Sequence, residues 1–161
     1  MEQKNGYYIH HYKLYNALVE EWYLNGKRHR LDGPAYIRYF PGQDIISEVE
    51  IWYLNGKQHR ADGPAYIIHN ISGSSHIEEY WIHDKRHRPI EQGPAKIYYG
   101  YDSDEGKLYY ATWFINGVEI SREKVEQFIL EYKLHIYNTA CLYFDEKALA
   151  NIISDYSIEE I

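Results

Sequence analysis

"WYLNGKRHRLDGPAYI" (Trp22–Ile37) returns thirty residues later as "WYLNGKQHRADGPAYI" (Trp52–Ile67), with drift confined to the middle. Tryptophans at Trp22, Trp52, Trp81 and Trp113 are spaced 30, 29 and 32 residues apart. An interval in this range marks a repeat architecture. A degraded third copy reads "WIHDKRHRPIEQGPAKIYY" (Trp81–Tyr99), and a fourth, "WFINGVEI" (Trp113–Ile120), stops after its turn. Ahead of the first copy, "GYYIHHY" (Gly6–Tyr12) reads as a return strand without its outgoing partner.

Each copy has the same internal grammar. A short aromatic and β-branched run reaches Asn-Gly at Asn25-Gly26, Asn55-Gly56 and Asn116-Gly117. Both residue types tolerate positive φ, so each pair predicts a two-residue hairpin turn. The return leg passes through His-Arg into Asp-Gly-Pro-Ala (Asp32–Ala35, Asp62–Ala65), where proline cannot donate to a ladder and glycine permits a bulge. It then resumes as "AYIRY" or "AYIIH", so the return strand is expected to be kinked and then regular. The variable stretches "FPGQDIISE", "NISGSSHIE" and "GYDSDEGKLYY" are the expected outer loops.

The run "WYLNGKRHR", with Trp22, Gly26 and His29, resembles the MORN repeat, whose units run roughly W-x-x-G-x-x-H-G-x-G. The resemblance spans about residues 7 to 120 and rests on recurrence. Arg30, Arg60 and Arg88 stand where that repeat has glycine, and each unit is longer than usual. The variant N-G-K-x-H-R-x-D-G-P-A is similar to repeats in proteins of large DNA viruses, the marseilleviruses among them. The resemblance implies a curved, single-layer antiparallel meander that serves as an interaction module and not as a catalytic domain. A viral origin would place it in the virion or the host cytoplasm.

The grammar changes after Ile120. Ser121 is a helix N-cap candidate, followed by Val125, Phe128, Ile129, Tyr132 and Ile136 at helical spacing. Asp145 caps a second candidate with Leu149, Ile152, Ile153 and Tyr156 on one face. The expected fold is therefore mostly β: an antiparallel β-hairpin repeat array over residues 1–120, with C-terminal α-helices over 121–161 packed on it as a cap.

Bulk properties bound the function. A chain of 161 residues can bury about 70% of its unfolded surface as one domain. Its 19 tyrosines suit a half-wet sheet surface. A net charge of -7 disfavours nucleic acid as a partner. Cys141 is the only cysteine, the start "MEQKNGYYIHHY" lacks the pattern of a signal peptide, and no run is long enough to span a membrane. These features together suggest a soluble, intracellular protein. Open strand edges and the stripe Phe128, Ile129 and Tyr132 suggest a protein partner and a symmetric homodimer.

The candidate partner-binding residues are the triplicated Lys-x-His-Arg: Lys27, His29 and Arg30; Lys57, His59 and Arg60; Lys85, His87 and Arg88. Equivalent histidines lie two strands apart, about 9.6 Å, whereas a shared zinc needs their nitrogens within about 4 Å. No metal or cofactor is expected from them. Asp32 and Asp62, two residues beyond Arg30 and Arg60, fit a local ion pair that fixes the turn, while a basic row fits an anionic lipid or polyphosphate. The third copy keeps Arg88 but has Glu91 after an inserted residue, which tips the arginines toward an outward role. Glu20-Glu21, Glu78-Glu79 and Glu159-Glu160 read as solvated surface, and Asp102, Asp104 and Glu105 make too short a calcium loop. The tryptophans read as a core spine. No nucleophile, phosphate-loop or metalloprotease motif occurs, and the chain is not expected to be an enzyme.

Overall fold

A computed structural model describes residues 4–12, 16–40, 47–70, 75–102 and 106–141. The chain divides after Ile120 into two compact units. In the first, β1 (Gly6–Tyr12), β2 (Ala17–Leu24), β4 (Tyr36–Tyr39), β5 (Ser47–Ile51), β8 (Tyr66–Asn70), β9 (Ser75–Glu79), β12 (Lys96–Asp102) and β13 (Gly106–Ile115) lie side by side in that order. Every neighbouring pair is antiparallel. The meander expected from the repeats is thus the observed fold.

Short ribbons continue each outgoing strand to its turn. β3 (Lys27–Arg28) pairs with the end of β2, β6 (Tyr53–Leu54) with β7 (Lys57–Gln58), β10 (Trp81–Ile82) with β11 (Lys85–Arg86), and β14 (Val118–Ile120) with the end of β13. The Asn-Gly pairs close these ribbons with positive φ at both positions: 51° and 73° at Asn25-Gly26, 53° and 83° at Asn55-Gly56, 52° and 86° at Asn116-Gly117. His83 and Asp84 do the same at 49° and 66° with no glycine, a turn that residue type alone does not announce.

Each hairpin narrows to a neck. Trp22 faces the whole stretch from His29 to Ala35, donating its N–H to Ala35 O (2.9 Å) and accepting from His29 N–H (3.0 Å). Trp52 repeats this with Ala65 and His59 (2.8 and 3.1 Å). The alanine carries the sheet onward, since Ala35, Ala65 and Ala95 donate to Ile51 O, Glu79 O and Thr112 O (3.0, 2.9 and 3.0 Å). All three alanines are fully enclosed, which leaves no space for a larger side chain.

The third neck corrects the idea of a tryptophan spine. Tyr80, not Trp81, bonds Ala95 (2.8 Å) and His87 (3.0 Å), so Tyr80 occupies the place of Trp22 and Trp52. Trp81 takes the place of Tyr23 and pairs with Arg86, as Tyr23 pairs with Arg28. The hydrogen-bonded turn and neck set the register, and the large aromatic ring follows.

Alternation divides the sheet's two faces. One carries the cross-strand row Ile9, Glu20, Ile37, Glu50, Ile67, Glu78, Ile97, and the other the row Tyr8, Glu21, Tyr36, Ile51, Tyr66, Glu79, Lys96. Val19 and Val49 are buried on the second face, Ile67 and Ile97 on the first, and no large described side chain is fully buried. The array is held by its ladders and many half-buried side chains.

The second unit contains α1 (Arg122–Cys141). Ser121 O accepts from Val125 N–H (3.1 Å), placing Ser121 at the helix start as expected. A backbone hydrogen bond, with the Ser121 side chain adding, holds the Glu123 carboxyl below its ordinary pKa. Arg122–Glu126 (2.8 Å) and Gln127–Glu131 (2.9 Å) link successive turns, and Phe128 stacks with Tyr132 at 6.1 Å. The helix expected from Asp145, and Asp104 and Glu105 of the acidic loop, lie outside the described residues.

Candidate functional site

The hairpin tips form a second ladder beside the main sheet. The second residue of each turn donates its N–H to the preceding return leg: Gly26 to Lys4 O (2.8 Å), Gly56 to Arg28 O (2.8 Å), Asp84 to Gln58 O (2.9 Å), Gly117 to Arg86 O (2.8 Å). Arg30, Arg60 and Arg88 then donate backbone N–H groups to Tyr53 O, Trp81 O and Phe114 O (3.2, 3.1 and 3.2 Å). The Lys-x-His-Arg triplets lie along this ladder, and their three side chains have different fates.

The histidines clamp the next turn. Asn55 N–H donates to His29 Nδ1 (3.1 Å) and Asn116 N–H to His87 Nδ1 (3.1 Å). At the N-terminal end Asn5 Oδ1 does the same for Asn25 N–H (2.6 Å). A backbone N–H can only donate, so Nδ1 is the acceptor in both histidine bonds; His29 Nδ1 also lies 2.9 Å from Asn55 Oδ1, a contact it makes in the other tautomer.

The arginines turn inward, against the outward role inferred from their recurrence. Arg30 lies over Trp22 at 4.2 Å, Arg60 over Trp52 at 4.0 Å and Arg88 over Tyr80 at 4.0 Å. Their guanidinium groups donate to the carbonyls of Pro34 (3.5 Å), Pro64 (3.3 Å) and Pro94 (3.1 Å), across the loop that each arginine opens. Arg30 and Arg60 also donate Nε to Asp32 and Asp62 (2.9 Å each), and these bonds hold both exposed carboxyls below their ordinary pKa. A Cβ on Gly33 would lie 2.8 Å from Arg30 Cζ, and one on Gly63 2.9 Å from Arg60 Cζ. The glycine of Asp-Gly-Pro-Ala is there to let the guanidinium pass. An aromatic ring below and a carbonyl ahead outcompete solvent for the arginine.

The lysines alone face outward. Lys27, Lys57 and Lys85 are exposed. The stems of Lys27 and Lys85 lie against the next turn, where a Cβ on Gly56 or Gly117 would meet them at 3.3 and 3.8 Å.

Two carboxylates read as solvated surface are buried instead. Glu21 and Glu79 are 5% and 7% exposed. Glu21 Oε1 accepts from Arg28 Nε (2.8 Å), Arg28 Nη2 and Tyr23 OH (3.1 Å), and Glu21 Oε2 lies 3.3 Å from His10 Nε2. Glu79 accepts from Arg86 Nε and Nη2 (3.1 Å each) and Trp81 Nε1 (3.1 Å), with Lys96 Nζ at 3.4 Å. Burial opposes ionisation of Glu21, but Arg28, aided by Tyr23 and His10, outweighs it and leaves the pKa below the ordinary value. In the middle hairpin the equivalent residues are Ile51 and Gln58, so carboxylate and guanidinium are exchanged together. That joint exchange between repeats is the signal in the sequence that marks the pair.

On the opposite face His69 and His76 pack at 5.0 Å, and His76 Nε2 lies 2.9 Å from Glu78 Oε1. Among the described residues no three His, Cys, Asp or Glu side chains come together as metal ligands. Most charged groups of the repeat are engaged within their own hairpin, Glu21 with Arg28, Glu79 with Arg86, and Arg30 and Arg60 with Asp32 and Asp62. No protein-family model matches the chain, and neither a curated protein nor a solved structure matches it.

Proposed function

We propose that this chain is a non-enzymatic, MORN-like structural module that works by presenting its sheet surface to a protein partner, and that it forms a homodimer. The observation that carries this reading is the edge strand β1. Tyr7, Ile9 and Tyr12 are 49%, 57% and 52% exposed there, and β1 has no strand beyond it among the described residues. An apolar strand with an unpaired row of N–H and C=O groups is a template for another strand. Two β1 strands meeting antiparallel about a twofold axis satisfy both rows at once. Sedimentation equilibrium at micromolar concentrations is expected to give about twice the chain mass of 19.3 kDa, falling to the single mass in Ile9→Lys. Single mass in the wild type refutes the dimer, and loss of association in Phe128→Asp but not Ile9→Lys moves the interface to the helix.

A second reading is supported by the outward lysines. Lys27, Lys57 and Lys85 present a row about 10 Å apart, suited to an anionic lipid surface or polyphosphate. Co-sedimentation with phosphatidylserine vesicles is then expected to weaken steeply from 50 to 500 mM salt and to be lost in the triple Lys→Gln variant. Absence of binding at low salt eliminates this reading. No described helix is long and apolar enough to cross a membrane.

A further inference from the structure

The junction between the second and third hairpin tips is built differently from its neighbours. His29 and His87 each accept the N–H of the following turn, but His59 Nδ1 is buried with no hydrogen-bond partner. The turn residue beside it is His83, whose ring stacks on His59 with centroids 4.2 Å apart and planes 19° from parallel. His83 and Asp84 also hold positive φ without glycine, a strained backbone for these residues. What closes the junction is Asp84, whose N–H donates to Gln58 O (2.9 Å) and whose Oδ1 accepts from Gln58 N–H (2.7 Å), together with Arg60 N–H to Trp81 O (3.1 Å). An orphaned imidazole nitrogen, a paired imidazole and a strained turn therefore coincide at one place.

We propose that this junction is an acid-released hinge: neutral His59, stacked on His83, holds the second and third tips together, and a proton on His59 parts the tips while the first junction stays closed. Two stacked neutral imidazoles attract, whereas a proton on the buried, acceptor-less His59 Nδ1 is a charge with nothing to pair it. The charged groups on the two elements that meet here are Lys57, Arg60 and Asp62 on one side and Asp84 and Lys85 on the other. Asp62 is paired with Arg60, while Asp84, held by Gln58 N–H, keeps its negative charge; the two cations Lys57 and Lys85 outnumber that one anion and oppose further positive charge. Burial, with His83 adding, holds the His59 pKa below its ordinary value. A group depressed in this way stabilises the folded junction fully above the unfolded-state pKa of about 6.5, and that contribution is lost as pH falls below it. The first junction is protected by its amide: Asn55 Oδ1 lies 2.9 Å from His29 Nδ1 and can accept from it once protonated.

Amide hydrogen exchange of the full chain by NMR at pH 7.5 and 5.5 tests the hinge. The reporters are the Arg60 and Asp84 amides of the hinge, and the references are the Arg30 and Gly56 amides of the first junction. Corrected for intrinsic rates, the reporters are expected to lose about tenfold or more in protection at pH 5.5, and the references less than about twofold. In His83→Asn/Asp84→Gly, which installs the turn used by the other hairpins, the reporters are expected to keep their protection at both values. Equal change at the two junctions in the wild type overturns the proposal by itself, and so does acid release that persists in the variant.

Discussion

Replacing Gly56 by valine is expected to lower the unfolding free energy by about 2–3 kcal/mol. Gly56 sits at φ 83°, where a β-branched side chain crowds its own backbone, and its N–H must still reach Arg28 O at 2.8 Å. A Cβ there would also press to 3.3 Å from Lys27 Cβ, so relieving the strain would shift the tip ladder. Gly56→Asp is expected to cost less. Asp84 occupies the equivalent place at φ 66° and recovers part of the strain by accepting Gln58 N–H at 2.7 Å, a bond that an aspartate at 56 could copy with Arg28 N–H. Urea unfolding followed by tryptophan fluorescence ranks the three proteins. A valine variant with the wild-type midpoint would remove the positive-φ turn from the account of the fold.

The second large effect is expected at the buried carboxylate. Glu21→Ile alone leaves Arg28 facing an apolar side chain and strips Tyr23 and His10 of their partner, at an expected cost of about 2 kcal/mol. The figure is set below that of a fully buried pair because the Arg28 side chain is 37% exposed and keeps some water. Adding Arg28→Gln is expected to return most of the loss, because Glu21→Ile/Arg28→Gln recreates the Ile51 and Gln58 combination of the middle hairpin. A double-mutant cycle then gives a coupling of about 1–2 kcal/mol. If the two costs simply add, Glu21 and Arg28 act separately and the paired exchange between repeats has another origin.

The Asn-Gly hairpins and the helix after Ser121 are determined by the sequence alone, because each rests on a local conformational rule, whereas the His83-Asp84 turn of the third hairpin does not. Asn-Gly supplies positive φ at Asn25-Gly26, Asn55-Gly56 and Asn116-Gly117, Asp-Gly-Pro interrupts the return strand, and the apolar spacing from Val125 is helical. Tertiary structure decided what the polar residues do. An arginine following a histidine in a turn has the same local sequence whether it reaches into water or lies on a ring. Arg30, Arg60 and Arg88 turn inward only because the neck brings Trp22, Trp52 or Tyr80 beneath them and a proline carbonyl in front. Glu21 and Glu79 look like surface in one dimension, and become buried because a guanidinium on the return leg arrives beside each. The third hairpin shows the same division. Its tryptophan is one residue out of register with those before it, since backbone bonds from Tyr80 to Ala95 and His87 outweigh the identity of the larger ring. Local rules chose the elements, while contacts across repeats chose the direction in which each side chain points.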